Sequence, residues 1–213
     1  MRRIRQVPIL VKPSFAIVVD GETEVWYFQM LKRNERSINV SIEPKIPQRK
    51  KLFEQFETVI ELSEDYTKVF WVIDLDVILK ETKEAKAGKE TPFETFLGYK
   101  KLIDESYPNI KIIINSPCLE FWFLLHFEQN KDVFKNCNDS TLLLKQHLIG
   151  YKKKLKYFTK QGDDIYLKLK PNLENALHNA NSLVLFDTKN PYKGLSEMQL
   201  FFEAIEFGDL FKK

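Results

Sequence analysis

The chain is poor in the residues that build several common kinds of site. It has two cysteines, Cys118 and Cys137, in 213 residues. Two thiols make neither a disulfide framework nor a zinc ligand set, and Cys118 reads as a small core residue. The three histidines, His126, His147 and His178, are too few and too scattered for a His-based metal centre. Glycine is scarce, and no Gly-x-x-x-x-Gly-Lys-Ser/Thr occurs; Gly21 stands alone. That argues against a nucleotidyl or phosphoryl transferase built on a P-loop. No apolar run approaches the ~20 residues of a transmembrane helix. The basic start, Met1-Arg2-Arg3-Ile4-Arg5-Gln6, leads into no signal-peptide core, because Lys12-Pro13 interrupts the apolar residues. A reduced, cytoplasmic setting without a membrane is therefore expected. No Gly/Ser linker and no internal repeat divides the sequence.

What is present is ample core material: 44% hydrophobic and 13% aromatic residues exclude global disorder. The net charge of +3 is weak evidence for a polyanionic partner. The densest basic run is Lys152, Lys153, Lys154, Lys156 and Lys160, interleaved with Tyr151, Tyr157 and Phe158. Such a run can neutralise backbone phosphates while its aromatics stack exposed bases. The plainer reading is a solvated helical face.

Strand-like and helix-like patterns alternate through the first half. Residues 15–19, 38–42, 69–73 and 111–114 read as strands; 22–33, 48–64 and 92–107 read as helices, the last opened by Pro92. The lysine- and glutamate-rich stretch 77–91 reads as an exposed loop or helix. Alternation of this kind predicts an α/β fold with a parallel sheet. From Pro117 the chain reads as mainly helical, over 117–127, about 140–150, 171–182 and 194–206. The expectation is an α/β core over residues 1–116 with a helical extension, 117–213, packed on it as one unit.

Two acidic signals stand where apolar strands run out. Phe15-Ala16-Ile17-Val18-Val19 leads into Asp20-Gly21-Glu22-Thr23-Glu24, and Val69-Phe70-Trp71-Val72-Ile73 into Asp74-Leu75-Asp76. In open α/β sheets the functional crevice lies beyond the carboxyl ends of the strands. Carboxylates gathered there repel one another unless a cation offsets the cost. Magnesium beside carboxylates in turn points to phosphate chemistry. Each cluster has a bland reading: Glu22 and its neighbours complement a helix terminus, and Asp74-x-Asp76 solvates a loop. In extended backbone Asp74 and Asp76 would project to the same side. A third segment, residues 116–127, is apolar nearly all round and should be buried. Glu120 within it is then costly unless paired or metal-bound. His126 reads as a packed residue rather than a catalyst.

These three segments, in this order, resemble the RloB-like family, a branch of the Toprim-fold proteins. The carriers are Asp20-Gly21-Glu22-Thr23-Glu24-x-x-Tyr27-Phe28, Asp74-x-Asp76 and Ser116-Pro117-Cys118-Leu119-Glu120-Phe121-Trp122-x-Leu124-Leu125-His126-Phe127. Tyr157-x-x-Lys160, Ala176-x-x-x-Ala180 and Asn190-Pro191 follow, so the likeness covers roughly residues 14–207. The resemblance implies a Toprim-like small parallel sheet flanked by helices. It implies Mg2+ or Mn2+ held by Asp20, Glu24, Asp74 and Asp76, with Glu120 a further acid at the site's edge and Lys160 on the scissile phosphate. It also implies an antiviral defence nuclease acting on RNA such as tRNA, or on DNA, and controlled by a partner ATPase of the ABC/SMC type. The family usually has glutamate where Asp20 stands. A shorter side chain there leaves open an alternative, a catalytically degenerate module that binds nucleic acid or the ATPase. Whether the chain forms a homo-oligomer stays open.

Overall fold

The β-branched and aromatic runs pair as strands that bury both faces. We describe a computed structural model covering residues 13–43, 50–86, 88–204, 207 and 211. The basic residues 1–6 and the first two residues of the helix expected from Gln48 lie outside these. The strands are β1 (Phe15–Val18), β2 (Val40–Glu43), β3 (Lys68–Asp74), β4 (Ile110–Ser116) and β5 (Leu195–Ser196). They form one sheet in the order β2-β1-β3-β4-β5. β1 pairs in parallel with β2 and β3, and β3 with β4; β5 alone runs antiparallel, against Asn115 and Ser116.

Side chains alternate across the pleat, and each set enters its own core. Phe15, Ile17, Phe70, Val72 and Ile113 face one side, packed with α1 (Glu22–Asn34) and with helices from the second half of the chain. Ala16, Val18, Val69, Trp71, Ile73, Ile112 and Ile114 face the other, against α2 (Leu52–Asp65), α3 (Leu75–Glu84) and α4 (Pro92–Ser106). Thr91 caps α4, accepting from the Glu94 N–H while Glu94 accepts from the Thr91 N–H, a reciprocal box that fixes the helix start beside Pro92.

The second half supplies α5 (Leu119–Leu125), α6 (Cys137–His147), α7 (Leu155–Phe158), α8 (Ile165–Leu169), α9 (Leu173–Asn181) and α10 (Gln199–Phe202). Every residue of α5 is buried, as its all-round apolar sequence requires. Asp164 ties this half to the first. Fully buried, it caps α8 through the Leu167 N–H and accepts from Arg33 and Asn34 of α1. The helix expected over 194–206 is instead strand β5 followed by the single turn α10. Leu195 and Ser196 satisfy the open edge of β4, and that pairing overrides local helical pattern. The second half is therefore part of the sheet as well as packed against it.

Candidate metal centre

Strand polarity brings the two acidic signals to one end of the sheet. Asp20 follows β1, and Glu24 sits in the first turn of α1; Asp74 is the last residue of β3. Asp76 departs from expectation. It does not continue an extended strand but lies in the first turn of α3, whose N-cap is Asp74. The helical turn still leaves both carboxylates on the same cavity, of about 380 Å³, whose lining includes Asp20, Glu24, Asp74, Asp76, Cys118, Cys137 and Lys153. A neighbouring cavity of about 610 Å³ shares Asp20 and Asp74 with it.

Three of the acids have partners that fix them. Asp74 accepts from the Leu119 N–H at the start of α5 (3.2 Å) and from Asn115 Nδ2 (3.4 Å). Asn115 Oδ1 accepts in turn from the Ser196 hydroxyl at 2.7 Å, so β5 reaches the site through a buried chain, Ser196 to Asn115 to Asp74. The Asp76 N–H donates to the Pro117 carbonyl, and its carboxylate accepts from the Cys137 N–H. Glu24 accepts from Thr23 Oγ1 and is only 4% exposed. Gly21 makes room for it: a methyl group there would meet Glu24 Oε2 at 2.1 Å. Gly21 has φ −123°, which alanine tolerates, so the glycine serves the carboxylate rather than the backbone. Gly21→Ala is expected to cost roughly 1 kcal/mol of stability as a poorer cap. By displacing Glu24 it should weaken Mn2+ binding about tenfold, measured by titration calorimetry.

Burial and the crowding of like charges set the electrostatics of the cavity. Burial, then Asp20 and Glu120, push Glu24 up to about 8. Burial and the neighbouring carboxylates, Glu24 first, hold Asp74 well above the usual range, and burial raises Asp76. The acids ring the cavity at a distance: among the described residues no three of them bring ligand atoms within 4.8 Å of one another, as mutual repulsion dictates. The donor set is all carboxylate oxygen, which suits Mg2+ or Mn2+.

Glu120 does not line the cavity. It lies one layer behind, fully buried, where Tyr151 donates to it at 2.7 Å and Lys153 pairs with it at 2.8 Å. Lys153 is the lysine of the basic run that reaches the site. Burial pushes it down, but Glu120, Glu24 and Asp74 together outweigh that and hold it above its usual value. Lys160 is placed elsewhere, on the exposed surface against Asp163 at 2.7 Å. Lys152, Lys154 and Lys156 are exposed, but the aromatics between them are not base-stacking platforms. Tyr151 and Phe158 are buried and Tyr157 packs edge-on against both. Their hydrophobic area is spent on the core. His126 is buried with its ring against Trp122 and is pushed down by burial to about 4; it is a neutral packing residue.

The cysteines, expected in a reduced setting with Cys118 as a small core residue, are instead paired. Cys118, the N-cap of α5, and Cys137, the first residue of α6, form a disulfide, with Cα atoms 5.5 Å apart. Nineteen residues of separation conceal this in the sequence; the packing of α5 on α6 creates it. Both sulfurs lie 3.0 Å from Glu120 Oε2.

Comparison with known proteins gives a family and no individual relative. No curated protein and no solved structure matches the chain. The model of the RloB-like protein family matches residues 15–205, which include both acidic strand ends and the helix of Glu120. The chain belongs to the RloB-like family.

Proposed function

We propose that this chain is a divalent-cation-dependent nuclease that hydrolyses phosphodiester bonds in RNA, such as tRNA, or in DNA. The observation that carries this reading is the gathering of Asp20, Glu24, Asp74 and Asp76 around one cavity at the carboxyl ends of β1 and β3. Two of them, Glu24 and Asp74, are buried among like charges that hold them above their ordinary range, and a bound cation would offset that cost. The reading treats the α/β core as Toprim-like.

Bound Mg2+ or Mn2+ would supply Lewis-acid polarisation of the phosphate and a more acidic water. The chain's own residues do the rest. Asp74 is fixed by the Leu119 N–H and Asn115, so its carboxylate is pre-oriented. Glu24 is kept close by the absence of a side chain at Gly21. Asp20, just after β1, and Asp76, in the first turn of α3, complete the cavity's acidic lining. Lys153, already in the cavity wall, offers an ammonium to a bound phosphate, and the exposed Lys152, Lys154 and Lys156 extend positive charge along the approach. A defence role under a partner ATPase belongs to the same proposal, on the strength of the family likeness.

The test is cleavage of plasmid DNA, single-stranded DNA and total RNA by the purified chain, with Mg2+, Mn2+ or EDTA. Metal-dependent products should appear in one substrate lane and fall at least about a hundredfold in Asp74→Asn, with the mutant's fold intact by circular dichroism. Absence of products, together with retained nucleic-acid binding in both proteins, would instead establish the non-catalytic binding module.

A further inference from the structure

The wall between the acid cavity and Glu120 is made of the two cysteines. Cys118 and Cys137 both line the cavity, whereas Glu120 lies behind them. Glu120 Oε2 faces both sulfurs at 3.0 Å, while its Oε1 takes the Tyr151 hydroxyl at 2.7 Å and the Lys153 ammonium at 2.8 Å. Lys153 Nζ is itself 3.3 Å from Cys137 Sγ. A single cluster thus holds a bonded cysteine pair, a fully buried carboxylate and the cation that also lines the metal cavity.

The two redox states of this pair serve Glu120 differently. Sulfurs in a disulfide carry no proton, so Oε2 receives no hydrogen bond from them, and the buried charge depends on Tyr151 and Lys153. Two thiols can each donate to Oε2, which relieves Lys153 of that duty. Its ammonium is then available to the acids of the cavity, where Glu24 and Asp74 already attract it. An ammonium among those acids competes with a divalent cation for the same carboxylates. Reduction also unties the start of α6, whose first N–H holds the Asp76 carboxylate.

We propose that Cys118 and Cys137 form a hydroperoxide-responsive thiol–disulfide site whose oxidation tightens divalent-cation binding at the neighbouring acids. This rests on reading those acids as a cation site. Both cysteines line the cavity, but Cys137 is half-buried whereas Cys118 is only 1% exposed, so Cys137 is the attacking thiol. Its sulfur takes the terminal oxygen of the hydroperoxide, giving a sulfenic acid and releasing an alcohol, or water when the oxidant is hydrogen peroxide. The Cys118 thiol then attacks the sulfenic sulfur; the S–S bond forms and water leaves with the sulfenic oxygen. Two thiols are oxidised by two electrons and one O–O bond is reduced. A dithiol reductant reverses the change by exchange.

The experiment has two independent readouts on the full chain. After full reduction, stoichiometric hydrogen peroxide should lower the intact mass by two hydrogens, and peptide mapping should find the link between Cys118 and Cys137. Persistence of two alkylatable thiols overturns the proposal, as does stoichiometric zinc that blocks alkylation of the reduced chain. Mn2+ affinity is then measured by calorimetry on the reduced and oxidised forms and on Cys137→Ser. The oxidised form should bind about tenfold more tightly than the reduced one, and Cys137→Ser should match the reduced form and ignore peroxide. Equal affinity in both forms overturns the coupling while leaving the cation site standing. Absence of Mn2+ binding in either form overturns the cation site itself, and with it the coupling.

Discussion

At neutral pH and without divalent cation, Glu24→Gln is expected to melt higher than the unaltered chain. Glu24 titrates near 8 in the fold against an ordinary value of 4.5. Between those values the folded state holds a proton that the unfolded state releases, so the fold loses stability as pH rises through the interval. Stability associated with this group is full below about 4.5, declines through neutrality, and is gone above about 8. At pH 7 the cost comes to roughly 3 kcal/mol, at 1.36 kcal/mol per unit. Glutamine keeps an oxygen for Thr23 and cannot ionise, so it removes that cost. For a chain of this size the gain is roughly 6 to 12 °C in Tm. Mn2+ reverses the comparison. It should raise the Tm of the unaltered chain by mass action and barely move Glu24→Gln. Thermal melts from pH 5 to 9, with and without Mn2+, read both effects. A mutant that melts lower at pH 7 and higher at pH 5 would show that Glu24 serves the fold rather than a cation.

The cost of burying like charges together is why the acids were legible in the sequence. A carboxylate at the end of a buried strand is expensive; Asp20 and Asp74 stand at such ends, Glu24 and Asp76 in the first helical turns that follow, and strand polarity puts both pairs at one end of the sheet. The strands and most helices were legible for a related reason, since runs such as Val69–Ile73 and Ile112–Ile114 have few ways to bury both faces. What the sequence hid depends on distant pairing. Asn115 reads as a strand-terminating residue, and only its bond to Ser196, 81 positions away, makes it a brace for Asp74. β5 is two residues long and exists because β4 has an open edge. Gly21 looks like a turn glycine, yet its role is set by the side chain three residues on. The cysteines meet only after α5 packs on α6. Lysines are the hardest case, because in a run as uniform as 152–160 nothing local distinguishes the one that points inward.

That distinction makes Lys153→Met and Lys160→Met the most informative pair of substitutions in the basic run. Lys160 is exposed and bonded to an exposed Asp163 three residues away; such solvent-screened pairs contribute little to stability, so its loss should leave the melting temperature nearly unchanged. Lys153 is different because its partner is fully buried. Removing it leaves the Glu120 carboxylate with Tyr151 as its remaining strong donor; because the Lys153 side chain is 45% exposed, the loss falls short of a fully buried pair, at roughly 1 to 3 kcal/mol. The double mutant Lys153→Met, Glu120→Gln removes the stranded charge and should recover most of that loss. Activity should not recover with it. If Lys153 steadies a phosphate in the cavity, the double mutant stays impaired about a hundredfold in cleavage although its Tm returns, whereas Lys160→Met cleaves normally. Chemical denaturation and cleavage assays on the four proteins separate the two duties. Recovery of both properties in the double mutant would confine Lys153 to holding Glu120. Loss of cleavage in Lys160→Met, at unchanged stability, would move the phosphate contact to the α7–α8 surface.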